Sequence, residues 1–257
     1  MQKNDFLEQF RQMEILCFKT FSTSTDRSWG SMFYNPDLLE RQDANHAEVF
    51  TPLNNPLTII NEIKDFYTQK NVPIRINFYD PDDNHPFKLI LTNNQFNSLD
   101  TNKTTTFMIL NKVIGFEELI NEKDSLRVTF SNYLPMNSQI GDDIALVIHS
   151  EWVYQNIVTH ENYYYFILYD DKEPVSVLSF FLHEPFMLAR LDDVVTLPEK
   201  RNNGYSTFLL KFACNWVQNN DFKPYLFVTN PVVMKVYENV GFEKLFTCKR
   251  IHWVKEI

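Results

Sequence analysis

Residues 191–210, LDDVVTLPEKRNNGYSTFLL, combine features that could bind an anion. A strand-like stretch ends at Leu197, a polar loop follows, and a helical pattern starts near Gly204. The first N–H groups of such a helix lack partners within the helix and lie at the positive end of its dipole. Gly204 lets a ligand approach the backbone, and Arg201 adds positive charge. The segment predicts a diphosphate site; the competing interpretation is an ordinary strand-to-helix turn.

A second segment, NPVVMKVYENVGF at residues 230–242, carries the start and stop signals of a helix. Asn230 is an expected N-cap, and Pro231 fits the first helical position, where a missing N–H costs nothing. Gly241 is expected just after the helix, where the backbone turns left-handed. Tyr237 lies on the apolar face of this predicted helix.

Together the two segments resemble the GNAT superfamily of acyl-CoA-dependent N-acetyltransferases. The first family motif is R/Q-x-x-G-x-G/A, and here it reads Arg201, Gly204 and Ser206. The second is an Asn that opens a helix, followed seven residues on by Y-x-x-x-G-F, and here it reads Asn230, Tyr237, Gly241 and Phe242. The resemblance covers about residues 125–257. Ser206 departs from it, because its side chain needs room beside the phosphates or a hydrogen bond to them.

The resemblance implies acetyl-CoA as co-substrate and a set of residues that bind it. The backbone of Val194, Val195 and Thr196 would pair with the pantetheine arm, and Asn230 would contact that arm. The pyrophosphate would lie on the loop and the first helical turn, which contain Arg201, Asn202, Asn203, Gly204, Tyr205, Ser206 and Thr207.

Tyr237 is the candidate general acid, as the family commonly assigns a tyrosine at this place. A phenol with a pKa near 10 can give a proton to a leaving thiolate of similar basicity. The competing interpretation is a core aromatic residue.

The attacking amine must lose a proton, so the reaction also requires a base, acting directly or through water. Asp192 is the candidate, with Asp193 as the alternative, since neighbours on a regular strand face opposite sides. Both could instead pair with Arg190 or face solvent. Some relatives carry a glutamate five residues before the helix-opening Asn, whereas this chain has Tyr225 there.

The elements that must position these residues follow from the periodicity of apolar side chains. In the second half of the chain, a helix is predicted first and an antiparallel meander of three strands after it. A helix, a strand, a second helix and a final β region are predicted to follow the meander. The predicted order is a helix at 144–158, strands at 163–171, 175–184 and 186–197, a helix from 204, a strand at 223–229, a helix from 231, and two β-like stretches, EKLFTCKR and IHWVKEI.

The first half carries a fainter copy of that ending, which favours an internal repeat. It reads as a helix at 56–69, a strand at 73–80, a short helix at 85–94 and a strand at 105–110. The phosphate-loop motif and the tyrosine have no counterpart there, so this half would be degenerate and, by analogy, would wall the acceptor pocket. The expected fold is α/β (α+β): a mixed, mainly antiparallel central sheet flanked by helices, in two consecutive domains at residues 1–115 and 125–257.

Composition excludes several other classes of protein. The 257 residues include only five glycines, none close enough to share a loop, so P-loop, dinucleotide-binding and nucleophile-elbow motifs are absent. A net charge of -9 argues against nucleic acid as a partner. Three scattered cysteines and the absence of H-x-x-x-H indicate no disulfide framework and no metal. With no apolar run that would cross a membrane, we expect a cytoplasmic protein without a membrane partner.

The sequence therefore predicts an N-acetyltransferase that moves an acetyl group from acetyl-CoA to a primary amine by direct attack in a ternary complex. The acceptor, a small molecule or a peptide, and the oligomeric state stay open. The alternative is a non-catalytic module of the same fold that binds acyl-CoA or a protein partner.

Overall fold

A computed structural model of the chain describes residues 3–39, 41–50, 55–80, 86–98, 104–115, 117, 125–131, 139–148 and 161–255. The chain divides into two compact units. The first unit consists of Met1–Thr106 with Phe246–Ile257, and the second unit of Phe107–Leu245. The last residues of the chain thus pack with the first unit, whereas the sequence groups them with 125–257.

The first unit contains three helices around a sheet. Its elements are α1 (Lys3–Lys19), β1 (Thr23–Arg27), β2 (Gly30–Tyr34), β3 (Ala47–Val49), α2 (Pro56–Gln69), β4 (Ile74–Asp80), α3 (Pro86–Asn93) and β5 (Asn97–Ser98). Two further strands, β6 (Thr104–Leu110) and β12 (Phe242–Lys255), have residues in both units. The predicted helix at 56–69 is confirmed at both ends.

The sheet of the first unit has the order β1-β2-β3-β4-β12, and β5 pairs with β12 as well. Its pairs are antiparallel except β3 and β4, which are parallel and joined through α2. The apolar face of α2, with Ile59, Ile60, Ile63 and Tyr67, is buried in a core with Ile76 and Phe78 of β4.

The second unit contains the remaining elements. They are β7 (Leu126–Ser131), α4 (Gln139–Ile148), β8 (Tyr163–Asp170), β9 (Glu173–His183), β10 (Leu188–Thr196), α5 (Tyr205–Asn219), β11 (Lys223–Val228) and α6 (Pro231–Val240). Strands β7 to β10 pair in sequence order and antiparallel, which confirms the predicted meander, and β11 joins β10 in parallel through α5. Leu209, Ala213 and Val217 of α5 are fully buried in the core of this unit.

Both units share one order of elements, a short antiparallel meander followed by a parallel pair with a helix between its strands. Two details differ from the sequence predictions. The two β-like stretches after Phe242 are a single strand, β12. Helix α4 begins at Gln139 rather than at 144, and the predicted part at 149–158 lies outside the described residues.

Candidate active site

Strand β10 carries a β-bulge at the acidic pair. Asp192 pairs with Ser179 and Val195 with Val177, so β10 advances three residues where β9 advances two. Asp193 absorbs the extra residue with a left-handed φ of 46°. The prediction that neighbouring residues here alternate as on a regular strand is therefore wrong.

After Arg190, and so before the bulge, β10 loses its partner on one side. The parallel pairing with β11 runs from Leu188 opposite Lys223 to Arg190 opposite Tyr225, and no further pairs follow in these fully described strands. Val194, Val195 and Thr196 are half-buried on this part of β10. An extended ligand can pair with a strand at such an opening.

The loop after β10 ends in an uncapped helix N-terminus. Gly204 precedes α5 with φ 79° and ψ 0°, and as a glycine it offers no side chain to cap the helix. A Cβ built on Gly204 would meet no atom within 4 Å. The space beside the Gly204 Cα is therefore open, which suits the close approach of a phosphate to a helix N-terminus.

Hydrogen bonds hold the loop in this form. The Arg201 Nε donates to the Thr196 carbonyl at 3.2 Å, which joins the loop to the end of β10. The Asn203 amide donates to the carbonyls of Lys200 and Arg201 at 3.0 and 3.2 Å. Asn202 takes a left-handed φ of 63°. Residues 201–204 are all exposed, so the loop is accessible to a ligand.

The first turn of α5 is anchored from beneath. Tyr205 is buried and donates its hydroxyl hydrogen bond to Asp170 at the end of β8. Ser206 and Thr207, next along the helix, are half-buried. Since Tyr205 points into the unit, its side chain supports the loop, and only its backbone is available to a phosphate.

Helix α6 begins and ends where the sequence predicts. The Asn230 Oδ1 accepts a hydrogen bond from the Val232 N–H at 2.9 Å, and Pro231 occupies the first turn. Gly241 follows the helix with φ 113°. Because the cap uses the Asn230 oxygen, the amide nitrogen of that side chain is the atom left for a ligand.

The structure brings Tyr237 and Asp192 together. Tyr237 is 8% exposed and packs edge-on near Phe242, with 6.1 Å between ring centroids. Burial, and second the Asp192 carboxylate, raise the pKa of Tyr237 to about 12. The phenol is therefore protonated at neutral pH.

Asp192 and Asp193 are both engaged within the unit. The Arg190 Nη2 donates to Asp192 Oδ2 at 2.7 Å, and the Asp193 N–H donates to Asp192 Oδ1 at 3.1 Å. The Ser179 hydroxyl donates to Asp193 Oδ2 at 2.9 Å, and the Tyr163 and Ser179 hydroxyl oxygens lie 3.4 Å apart. The Arg190 pairing was one of the alternatives open at the sequence level, whereas Ser179 gave no signal in the sequence.

Tyr225 and Cys214, one of the three cysteines, are core residues. Tyr225 is fully buried on β11. Cys214 is fully buried in α5, and burial raises the pKa of its thiol far above the usual range. Nothing in the described part of the chain groups three His, Cys, Asp or Glu residues as a metal site would. Among the described helices, none is long and apolar enough to span a membrane.

Residues 132–242 match the family model described as "Acetyltransferase (GNAT) family". No curated protein matches the chain in sequence. Solved structures of similar fold include a GCN5-related N-acetyltransferase from Kribbella flavida, with a TM-score of 0.69, 9% identity and coverage of 96% of this chain and 94% of that one.

Two other similar structures also extend over both units. A tandem GNAT protein from the clavulanic acid biosynthesis pathway has a TM-score of 0.65 and 11% identity, covering 91% of this chain and 81% of that one. A conserved protein of unknown function from Staphylococcus epidermidis has a TM-score of 0.66 and 14% identity, covering 91% and 94%. At these identities the likeness concerns the fold. Residues 132–242 thus form a GNAT acetyltransferase domain by the family model.

Proposed function

We propose that the second unit transfers an acetyl group from acetyl-CoA to the primary amine of an acceptor, within a ternary complex. The observation that carries the proposal is the N-terminus of α5 at Gly204, which no side chain of the cap residue covers, at the end of the loop that follows the bulged strand β10. A helix N-terminus with a left-handed glycine and no atom in front of it fits a diphosphate.

The residues proposed to bind the co-substrate are those that the resemblance to the family implies. The N–H groups of Asn203, Gly204 and the first turn of α5 receive the pyrophosphate, and Arg201 contributes charge. The backbone of residues 194–196 pairs with the pantetheine arm, and the Asn230 amide nitrogen donates to it. Acetyl-CoA supplies the activated thioester, and this chain supplies its orientation.

Tyr237 acts as the general acid. The amine nitrogen bonds to the acetyl carbonyl carbon, the carbon–sulfur bond breaks, and the Tyr237 hydroxyl gives its proton to the sulfur. The nitrogen loses its second proton as the amide forms, and that proton restores the phenol. The position of Tyr237 beside Asp192 supports this role, and the phenol carries its proton throughout the physiological range. The rise of its pKa to about 12 makes it a weaker acid than an ordinary tyrosine.

Asp192 attracts the cationic form of the acceptor and takes up its proton through a bridging water. The water is part of the proposal because both oxygens of Asp192 already accept hydrogen bonds, one of them from Arg190. Asp193 is the alternative acceptor of the proton, one residue further along the bulge.

A non-catalytic acyl-CoA-binding module is the second candidate, and the Arg190–Asp192 ion pair favours it, because the Arg190 guanidinium already occupies one oxygen of the carboxylate. A screen of polyamines, amino acids, aminoglycosides and peptides with free N-termini, read out as release of the CoA thiol, separates the two functions. Acetyl transfer that requires both an amine and acetyl-CoA supports the enzyme. Acetyl-CoA binding without thiol release with any amine class would support the binding module.

A further inference from the structure

The second unit has a cavity of about 380 Å³ between β7, α4 and the turn after β8. Its lining residues are Arg127, Thr129, Gln139, Asp143, Tyr169 and Lys172. The volume is at the small end of the range of ligand pockets, ~300–1,000 Å³. The cavity therefore fits a small molecule.

The floor of the cavity is a buried carboxylate held by two donors. Asp143 is 9% exposed, and the Tyr169 hydroxyl donates to its Oδ2 at 2.5 Å. The Gln139 amide donates to its Oδ1 at 2.8 Å. Burial, and then Asp143 itself, raise the pKa of Tyr169, so this hydroxyl keeps its proton and continues to donate.

The rim of the cavity carries two exposed cations. The Arg127 guanidinium lies 4.8 Å from the centroid of the Tyr169 ring, and Lys172 lies in the turn after β8. The acidic residues near Lys172 in the sequence interact with other side chains. Asp170 accepts hydrogen bonds from Ser125 and Tyr205, and Glu173 forms a salt bridge with Lys200. Within the described part of the chain, no salt bridge joins either cation to a carboxylate.

This cavity is separate from the proposed transfer site. Tyr169 pairs with Pro174 on β9, whereas Asp192 pairs with Ser179. Pro174 and Ser179 are five residues apart on β9, so the two sites are separated by roughly 16 Å along the strand direction. Tyr169 and Asp170 are consecutive strand residues that bind α4 and α5 respectively, so the cavity and the phosphate loop lie on opposite faces of the sheet.

We propose that this cavity is a second small-molecule site, for an α-amino acid, whose carboxylate binds Arg127 and Lys172 and whose ammonium binds Asp143. The charges select this class. A simple anion would be repelled by the Asp143 carboxylate at the floor. A simple cation would be repelled by Arg127 and Lys172 at the rim. A zwitterion matches both, and both charged ends are then close to the same Tyr169 ring.

Isothermal titration calorimetry on the full chain tests this site without acetyl transfer. Glycine and the L-α-amino acids serve as probes, with acetate and methylammonium as single-charge controls. We expect at least one amino acid to bind with a Kd in the millimolar range or below, and both controls to bind at least tenfold more weakly. Failure here would leave the proposed acetyl transfer untouched, because the transfer residues lie at the other site.

Variants of the charged groups then localise the binding. Arg127→Gln, Lys172→Gln and Asp143→Asn should each weaken amino-acid binding by roughly 10- to 100-fold, the range for charge-assisted hydrogen bonds. Lys64→Gln, in the first unit, is the matched control and should bind as the original chain does. Arg127 and Lys172 are exposed, so their variants carry the test if Asp143→Asn fails to fold. Acetate binding as tightly as amino acids, no amino acid binding below about 10 mM, or unchanged affinity in the Arg127 and Lys172 variants would each overturn the proposal.

Discussion

The Asp192 carboxylate acts electrostatically on the Tyr237 phenol. After burial, it is the second cause that raises the pKa of Tyr237 to about 12. One of these groups lies at the bulge of β10 and the other on α6, two elements that are adjacent to the proposed co-substrate cleft. Their coupling means that the negative charge that would attract the amine also keeps the proton on the phenol.

Replacing Asp192 by Asn should lower the pKa of Tyr237. Because burial is the larger cause, the fall should be less than half of the rise from 10.0, or under about one unit. An ultraviolet titration of phenolate formation measures it, as the difference between each chain and its Tyr237→Phe counterpart. Asp221→Asn, at an exposed turn, is the control. An unchanged Tyr237 titration in Asp192→Asn would show that the two groups do not interact.

Tyr237 should also make stability depend on alkaline pH. Its pKa is about 12 in the fold against 10.0 for an ordinary tyrosine, so its contribution is fully present below pH 10 and is lost as the pH rises through 12. At pH 11 the original chain should have lost about 1.4 kcal/mol more than Tyr237→Phe, relative to pH 8. Urea unfolding at the two pH values measures this difference. An equal loss of unfolding free energy in the two chains would contradict the raised pKa of Tyr237.

Substitutions at Gly204 should separate backbone conformation from ligand space. Gly204→Ala should destabilise the fold by about 1 kcal/mol, because the φ of 79° disfavours a side chain, while Gly204→Asn tolerates that φ. Both variants should weaken acetyl-CoA binding at least ~10-fold, since each fills the open space before α5. Thermal unfolding and calorimetry give the two readouts. Full acetyl-CoA affinity in Gly204→Asn would argue against the phosphate site.

Calorimetry should give a stoichiometry of one acetyl-CoA per chain. In the first unit, Asn55 precedes α2 with a left-handed φ of 65°, as Gly204 precedes α5, but the next residue is Pro56. The Asn55 side chain stands where Gly204 has none, and Pro56 removes one N–H donor from the first turn of α2. Two sites per chain would show that the first unit binds the co-substrate too.

Local signals in the sequence predicted much of the fold. Asn230, Pro231 and Gly241 each act through their own backbone or side chain, so the ends of α6 could be located from residue type alone. The bulge at Asp193 could not be predicted, because it depends on the register between β9 and β10. The single strand β12 was missed for a similar reason, since its pairing with β4 is a long-range property.

The candidate site combines residues that motifs indicate with partners that the sequence does not indicate. The glycine and the tyrosine stand in motifs, whereas the partners of the acidic pair come from elsewhere in the sheet. Ser179 reaches Asp193 across fourteen residues of sequence, and only the antiparallel pairing brings them together. The Arg190–Asp192 bond joins residues two apart on one strand, a spacing that the sequence shows but whose geometry it does not determine.

The rate of CoA thiol release by the original chain and by Tyr237→Phe, with an accepted amine, tests the central claim most directly. Removing the phenolic proton should lower kcat by roughly 10²- to 10⁴-fold, while the Kd for acetyl-CoA, measured separately, stays within about twofold. Phe keeps the packing of the ring, so a folding defect is not expected. Equal turnover in the two chains, with equal acetyl-CoA affinity, would contradict the role of Tyr237 as the general acid.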